Sequence, residues 1–307
     1  MSDKKYKIKK MKKSLVIGGS GFLGSHLVDL LIKKGHSVTN LDIIKPKWNI
    51  DGQKFFKSNI LNEKKLDVAI KKKDYVFLFA GLSDLDEALR KPLKTVKLNI
   101  LATCLVINYC IKHNIKRLIF ASSIYANSEE GGFYSCSKRA AEDFIKEYSK
   151  KHGLKFTILR YGSLYGPRSD KRNGLHRIIV NALKRNVIEY YGFPYNRRKY
   201  IHVQTASNLT YKSLNKKFEN KFINLVGKEN IEISKLFKMI ENILNKNMKK
   251  RYYRKKILGH YVVKPTKLKL NKGINVYLKQ DEKFYIKLRN YIKYFIKNDK
   301  FIKNENK

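Results

Sequence analysis

The chain has 307 residues, 43% of them hydrophobic, which is enough apolar material for a large α/β domain with a smaller companion and excludes a fibrous or wholly disordered protein. Its 68 Lys and Arg against 25 Asp and Glu give a net charge of +43. The basic residues run along the whole length without an RNP, zinc-finger or helix-turn-helix pattern, so the charge predicts salt-sensitive attraction to polyanions and no specific nucleic-acid partner.

Residues 1–12 read as a disordered basic tail. The apolar run behind it mimics a secretory signal, but it holds four glycines, His26 and Asp29. It is instead a strand at 15–17, a turn, and a helix near 22–34. Gly18, Gly21 and Gly24 stand three apart at that turn: the first for the tight bend, the second for close approach of a phosphate to backbone N–H groups, the third for packing of helix on strand. A dinucleotide pyrophosphate is expected on the helix N-terminus, against Phe22 and Leu23. A second strand, 38–41, closes in Asp42, placed to accept from both ribose hydroxyls of NAD and to repel a 2′-phosphate. Gly19 and Gly24 have P-loop separation, yet Ser25-His26 follow where that loop needs Lys-Ser/Thr.

Further strands are expected at 54–56, 75–79, 118–121 and 156–159, and further helices near 63–72, 95–113, 134–151 and 175–185. This alternation predicts a doubly wound parallel sheet of the Rossmann type. We divide the chain into a dinucleotide-binding domain at 13–165, a substrate-binding region at 166–280 interleaved with the same sheet, and a Lys-rich helix (near 281–296) and tail at 281–307. No other segment reaches the ~18 uninterrupted apolar residues of a membrane span. Cys104, Cys110 and Cys136 suggest neither a disulfide framework nor a metal site and fit a reducing cytoplasm, and the seven histidines show no metal-ligand spacing.

The chemistry concentrates around Tyr134-Ser135-Cys136-Ser137-Lys138. Tyr134 and Lys138, four apart, share a helix face, and a neighbouring ammonium favours the phenolate of a group whose free pKa is roughly 10. Upstream, the strand 118–121 runs into Ser122 and Ser123, and Ser123 is placed to bond a substrate hydroxyl or ketone while Tyr134 moves its proton.

With these elements in hand, the chain resembles the extended short-chain dehydrogenase/reductases over residues 13–265, in particular the NAD-dependent epimerases and dehydratases of nucleotide sugars, among them enzymes of the UDP-glucose 4-epimerase type. The carriers are the glycine turn; Asn99-Ile100-Leu101-Ala102-Thr103 for Asn-x-x-Gly-Thr; Ser123, Tyr134 and Lys138 for the catalytic set; Arg160-Tyr161 through Tyr165-Gly166-Pro167-Arg168; and Arg198-Lys199-Tyr200-Ile201-His202-Val203. The resemblance implies cofactor contacts at Asn59, Ile60, Ala80, Gly81, Asn99, Tyr134, Lys138 and Tyr161 beside Gly18, Gly21 and Asp42. It implies substrate contacts at Ser163, Arg168 and Arg198, with Arg160 near the diphosphate, and a cytoplasmic homodimer serving surface-polysaccharide synthesis.

Three departures stand out. Ser123 and Tyr134 are about half as far apart as usual, with Gly131-Gly132 allowing the short connection. Lys199 and Thr205 replace acids of the last element, and Ser163 replaces a phosphate-binding Asn. Ile124-Tyr125 follow Ser123 where dehydratases carry Asp-Glu, so transient oxidation and return of the hydride, an epimerisation, is expected ahead of dehydration or simple reduction. The alternative of another class is a dinucleotide-binding protein with impaired chemistry, docked on polyanions.

Overall fold

A computed structural model describes residues 11–48, 51–128, 130–253, 274–277 and 281–298. The expected tails at 1–10 and 299–307, and 254–273 of the substrate region, lie outside the described residues.

The first run of apolar residues forms β1 (Lys13–Ile17), followed by α1 (Phe22–Lys33), β2 (Ser37–Asp42), β3 (Gln53–Lys57), α2 (Glu63–Ile70) and β4 (Tyr75–Leu78). Next come α3 (Leu85–Arg90), α4 (Pro92–Thr95), a π-helical turn (Val96–Leu101) and α5 (Ala102–Lys112), and then β5 (Arg117–Ser123), α6 (Gly132–His152) and β6 (Phe156–Tyr161). The second half holds β7 (Ser163–Tyr165), α7 (Gly174–Arg185), β8 (Val187–Tyr191), β9 (Arg197–Arg198), β10 (Tyr200–His202), α8 (Val203–Lys212) and β11 (Lys221–Leu225). It continues with β12 (Ile231–Glu232), α9 (Ile233–Leu244), β13 (Lys249–Tyr253), β14 (Ile274–Asn275) and α10 (Phe284–Lys297).

Eight strands make one parallel sheet in the order β14-β11-β6-β5-β4-β1-β2-β3. Its strands read as continuous apolar runs because helices cover both faces; Leu15, Val16, Ile17, Phe77, Ile119 and Ile158 are wholly buried. The chain winds outward from β1 in one direction and restarts at β4 in the other. A crevice therefore opens at the carboxyl ends of β1 and β4, where ligands of such sheets bind. β11 and β14 belong to this sheet although they come from the second half of the chain. Beside the crevice stand three strand pairs, β7–β10, β8–β13 and β9–β12, over a second core of α7, α9 and α10 that includes Ile179, Phe237, Leu288 and Ile292.

Differences from the expected elements have local causes. The helix expected at 63–72 stops at Ile70, because Lys71 has extended ψ and Lys72 a left-handed φ of 61°. β5 and β6 run on to Ser123 and Tyr161. The helix near 95–113 starts at Pro92 and contains the π turn. That run, Pro92–Lys112, is by length and mean hydropathy apolar enough to cross a membrane, although Lys94, Lys97 and Asn99 interrupt it; its Ala102, Val106, Ile107 and Cys110 are wholly buried in the sheet core.

Candidate active site

The glycine turn is pinned between two strands: Gly18 N–H donates to Leu41 O and Ala80 N–H to Ile17 O, both at 2.8 Å. Gly18 has φ +88°, and a Cβ on it would stand 2.5 Å from Ala80 N. At Gly24 a Cβ would stand 2.1 Å from Gly18 O, so the first turn of α1 packs directly on the bend. By contrast, Gly21 faces open space, with only Gly18 O at 3.3 Å from such a Cβ. Gly21 is the N-cap of α1 and no side chain caps that end, so the N–H groups of the first turn, at Phe22 and Leu23, are presented to an anion in the crevice. Sequence reasoning missed two supports. Asn40, fully buried, donates to Ser20 Oγ at 3.1 Å and Gln53 Oε1 at 2.7 Å, and Gly19 is the residue that leaves it room.

Asp42 ends β2 beside this turn. Ser20 N–H donates to one of its oxygens at 3.0 Å and Ile44 N–H to the other at 3.1 Å, which fixes the carboxylate and leaves each oxygen capacity for a hydroxyl. Of the two residues expected next, Asn59 is exposed and bonds Leu61 N–H, while Ile60 is buried in the core.

Asn99 lies in the π turn and is 2% exposed. Its Oδ1 accepts from Leu82 N–H at 2.7 Å; its Nδ2 donates to Leu82 O at 3.0 Å and Ser137 Oγ at 2.9 Å. Its polar atoms thus hold Leu82, which follows Ala80 and Gly81, against α6. Tyr161, also expected at the cofactor, bonds Thr210 Oγ1 through its hydroxyl at 2.6 Å and packs its ring edge-on against Phe79.

β5 delivers Ser123 and α6 delivers Tyr134 and Lys138, and the structure brings the three together. Burial pushes the Tyr134 phenol up to about 12, and the nearby Ser123 hydroxyl opposes that rise. Burial pushes Lys138 down to about 8, with the Glu142 carboxylate opposing. Lys138 Nζ donates to Ala121 O at 2.9 Å and lies 4.8 Å from the Phe120 ring centroid. Removal from water thus drives the two ionisation ranges apart, the phenol up and the ammonium down, and holds each group toward its neutral form. The short connection between Ser123 and Tyr134 is stitched down: Ser135 Oγ donates to Tyr125 O at 2.7 Å, and Arg139 to Ala126 O at 3.1 Å and Ser128 O at 3.0 Å. Tyr125 packs edge-on against Tyr134, centroids 6.4 Å apart.

The basic residues divide. Arg198 donates to Tyr190 OH at 2.9 Å, with Tyr125, which packs on Tyr134, and Tyr200 and Glu130 in electrostatic reach. Ser163, on β7, pairs across to Tyr200 on β10 and is half-buried. Arg168, expected at the substrate, instead pairs with Asp29 on α1 at 2.6 Å and stacks on Trp48 at 5.2 Å, with a left-handed φ of 68°. Arg160 is 4% exposed and committed to Glu142, so it does not face a diphosphate. The acid expected at Thr205 comes from elsewhere: Thr205 Oγ1 donates to Asp281 at 3.0 Å, and Lys287 bonds both. His202 caps α8 through Gln204 N–H, and burial lowers it to about 4, so it stays neutral.

The model of the NAD dependent epimerase/dehydratase family matches residues 14–227. The chain belongs to this family. A Methanocaldococcus jannaschii protein provisionally named a UDP-glucose 4-epimerase is 28% identical over 249 residues, 74% of this chain and 81% of the relative. A UDP-N-acetyl-alpha-D-glucosaminuronate decarboxylase of Bacillus cytotoxicus is 26% identical over 267 residues, 78% of this chain and 82% of the relative. In fold the chain is similar to the Thermotoga maritima UDP-glucose 4-epimerase solved with UDP-glucose, with a TM-score of 0.80 at 24% identity, covering 93% of this chain and 99% of that one. As a family member the chain takes NAD, and its residues fit that group: an uncapped helix N-terminus at an open Gly21, a fixed carboxylate at Asp42 and a crevice at the strand switch point. The family's enzymes act on nucleotide sugars, and the relatives of this chain include epimerases, a dTDP-D-glucose 4,6-dehydratase of Dictyostelium discoideum and a decarboxylase.

Proposed function

We propose that this chain is an NAD-dependent epimerase of a nucleotide-diphosphate sugar. The observation that carries the reading is the meeting of Ser123, at the end of β5, with Tyr134 and Lys138 of α6, Lys138 bonded to Ala121 of the same strand, on a β5 end that continues as Ile124-Tyr125 without an acid. NAD, when bound, supplies a reversible acceptor of hydride. The protein's part is proton transfer and orientation. Tyr134 Oη takes the proton from a sugar hydroxyl, Ser123 Oγ holds that hydroxyl in line, and Lys138 stabilises the phenolate. Water elimination needs a further acid to protonate the departing hydroxyl, and none follows Ser123. Epimerisation needs no group beyond this set, because the same Tyr134 returns the proton once the keto sugar has turned its other face.

On this reading Arg198 meets the diphosphate, as bidentate guanidinium contacts favour, and Ser163 faces the sugar-nucleotide. The chain works in the cytoplasm as a homodimer, for which exposed Leu93, Val96 and Leu101, beside Phe144 of the neighbouring α6, offer an apolar face; sedimentation at twice the monomer mass is expected. The deciding experiment incubates the protein with UDP-, GDP- and dTDP-hexoses and catalytic NAD. A new epimer without net NADH supports the proposal. Loss of water makes the chain a dehydratase, and stoichiometric NAD(P)H consumption a reductase.

A further inference from the structure

One turn beyond Lys138 the structure buries a charged pair that the chemistry above does not use. Glu142 and Arg160 are 3% and 4% exposed. Arg160 donates from Nε to Oε1 at 2.9 Å and from Nη2 to Oε2 at 2.5 Å, and Ser122 Oγ donates to Oε1 at 2.5 Å. The Phe222 ring stacks on the guanidinium, 4.6 Å from its centroid. A pair withdrawn this far from water is a poor stabilising device, since packed apolar residues of like volume do as well or better.

Its place in the fold indicates another task. Glu142 is four residues past Lys138 on α6, so the two share a face. Ala121 and Ser122 are the last residues of β5 before Ser123, and Arg160 lies opposite Ser122 on β6. Lys138 bonds Ala121 and Glu142 bonds Ser122. These two successive rungs tie α6 to the end of β5, and so set the reach between Ser123 on the strand and Tyr134 on the helix. Around Lys138 the neighbouring elements contribute Tyr134 and Glu142 from α6, Arg160 and Tyr161 from β6, and the hydroxyls of Ser122 and Ser123 from β5. Tyr161 is neutral and bonded to Thr210, and the Glu142 carboxylate is the group that opposes the burial of the Lys138 ammonium.

We propose that Glu142, held by Arg160 and Ser122, is a positioning residue that keeps Lys138 charged and in register with Ser123 and Tyr134. The proposal rests on reading Ser123, Tyr134 and Lys138 as the proton-handling set. It is tested with E142L/R160M, which replaces the pair by apolar volume, and with E142D, which keeps the charge. Each is followed by thermal melting, by kcat and KM across pH, and by NMR titration of 13C-lysine protein in which the Lys138 signal is assigned by its loss in K138M. The double variant is expected to melt within a few degrees of wild type. Its Lys138 signal should titrate about one pH unit lower, the alkaline limb of its rate profile should move by the same unit, and kcat should fall about fivefold at pH 8 with KM little changed. E142D should recover most of the titration. A double variant with wild-type Lys138 titration and wild-type kcat overturns the proposal. The NMR arm needs no substrate, so failure to epimerise any sugar sinks the functional reading and leaves the Glu142–Lys138 link decided on its own.

Discussion

Alanine at Gly21 and alanine at Gly24 should fail in different ways, and the difference tests whether the end of α1 is a phosphate cradle. At Gly24 the new Cβ would lie 2.1 Å from Gly18 O and 2.9 Å from Gly19 Cα. A carbon–oxygen contact needs roughly 3.2 Å, so α1 must retreat by about 1 Å, and overpacking of that kind costs about 3 kcal/mol. For 307 residues the unfolding entropy is about 0.6 kcal/mol per degree, so the melting temperature should fall by about 5 °C. Gly21, at φ −75°, needs no special backbone, and its Cβ would meet only Gly18 O at 3.3 Å. That variant should lose under about 1 kcal/mol, less than roughly 2 °C. Its methyl stands where a phosphate would approach the first N–H groups, and loss of one charge-assisted hydrogen bond, about 1.5–3 kcal/mol, weakens NAD binding roughly 10- to 100-fold. Calorimetric NAD titration and thermal melts of the two proteins decide it. G21A with wild-type NAD affinity, or with the melting temperature of G24A, would refute the reasoning.

Four further outcomes are expected. Tyr134→Phe should lose at least about 100-fold in turnover while binding NAD within twofold of wild type, so near-normal turnover would remove Tyr134 from the proton path. Lys138 sits at about 8 in the fold against about 10.5 unfolded, so the unfolded chain binds more protons between those values. The penalty for its charge is therefore full below pH 8 and gone above about 10.5. Lys138→Met should raise stability at pH 7 by up to roughly 3 kcal/mol less about 1 kcal/mol for the orphaned Ala121 carbonyl, seen as a higher melting temperature, and the gain should shrink by pH 10; melting below wild type at pH 7 contradicts the burial argument. NADPH should bind at least about tenfold more weakly than NADH by fluorescence titration, with Asp42→Asn narrowing the gap. Arg168→Met should leave KM for the nucleotide sugar within about twofold, because its Nη2 is paired with Asp29 and its guanidinium lies over Trp48, whereas Arg198→Met should raise KM about tenfold or more.

Much of this molecule is written in local periodicities. Alternating buried strands and amphipathic helices, and three glycines at a strand-to-helix bend, follow from hydrophobic spacing and from the backbone freedom a close approach demands, and neighbouring residues carry both signals. Tyr134 and Lys138 were legible for the same reason: four residues on a helix is one face whatever surrounds it. Elements of fewer than two periods, such as β9, β12 and α3, left no such trace, and α8 escaped because Thr, Ser and Asn dilute its apolar stripe.

The charged side chains were settled only by tertiary structure. Arg160, Arg168 and Arg198 look alike in the chain, yet one pairs with Glu142 in the core, one with Asp29 of α1, and one bonds the Tyr190 hydroxyl. The carboxylate missing at Thr205 arrives from Asp281, 76 residues away. A long cation takes whichever anion the fold brings within reach, and burial then decides how strongly that partner holds it. Both depend on residues distant in sequence, so the same local pattern that placed the helix of Tyr134 and Lys138 carried no record of what lies beneath it.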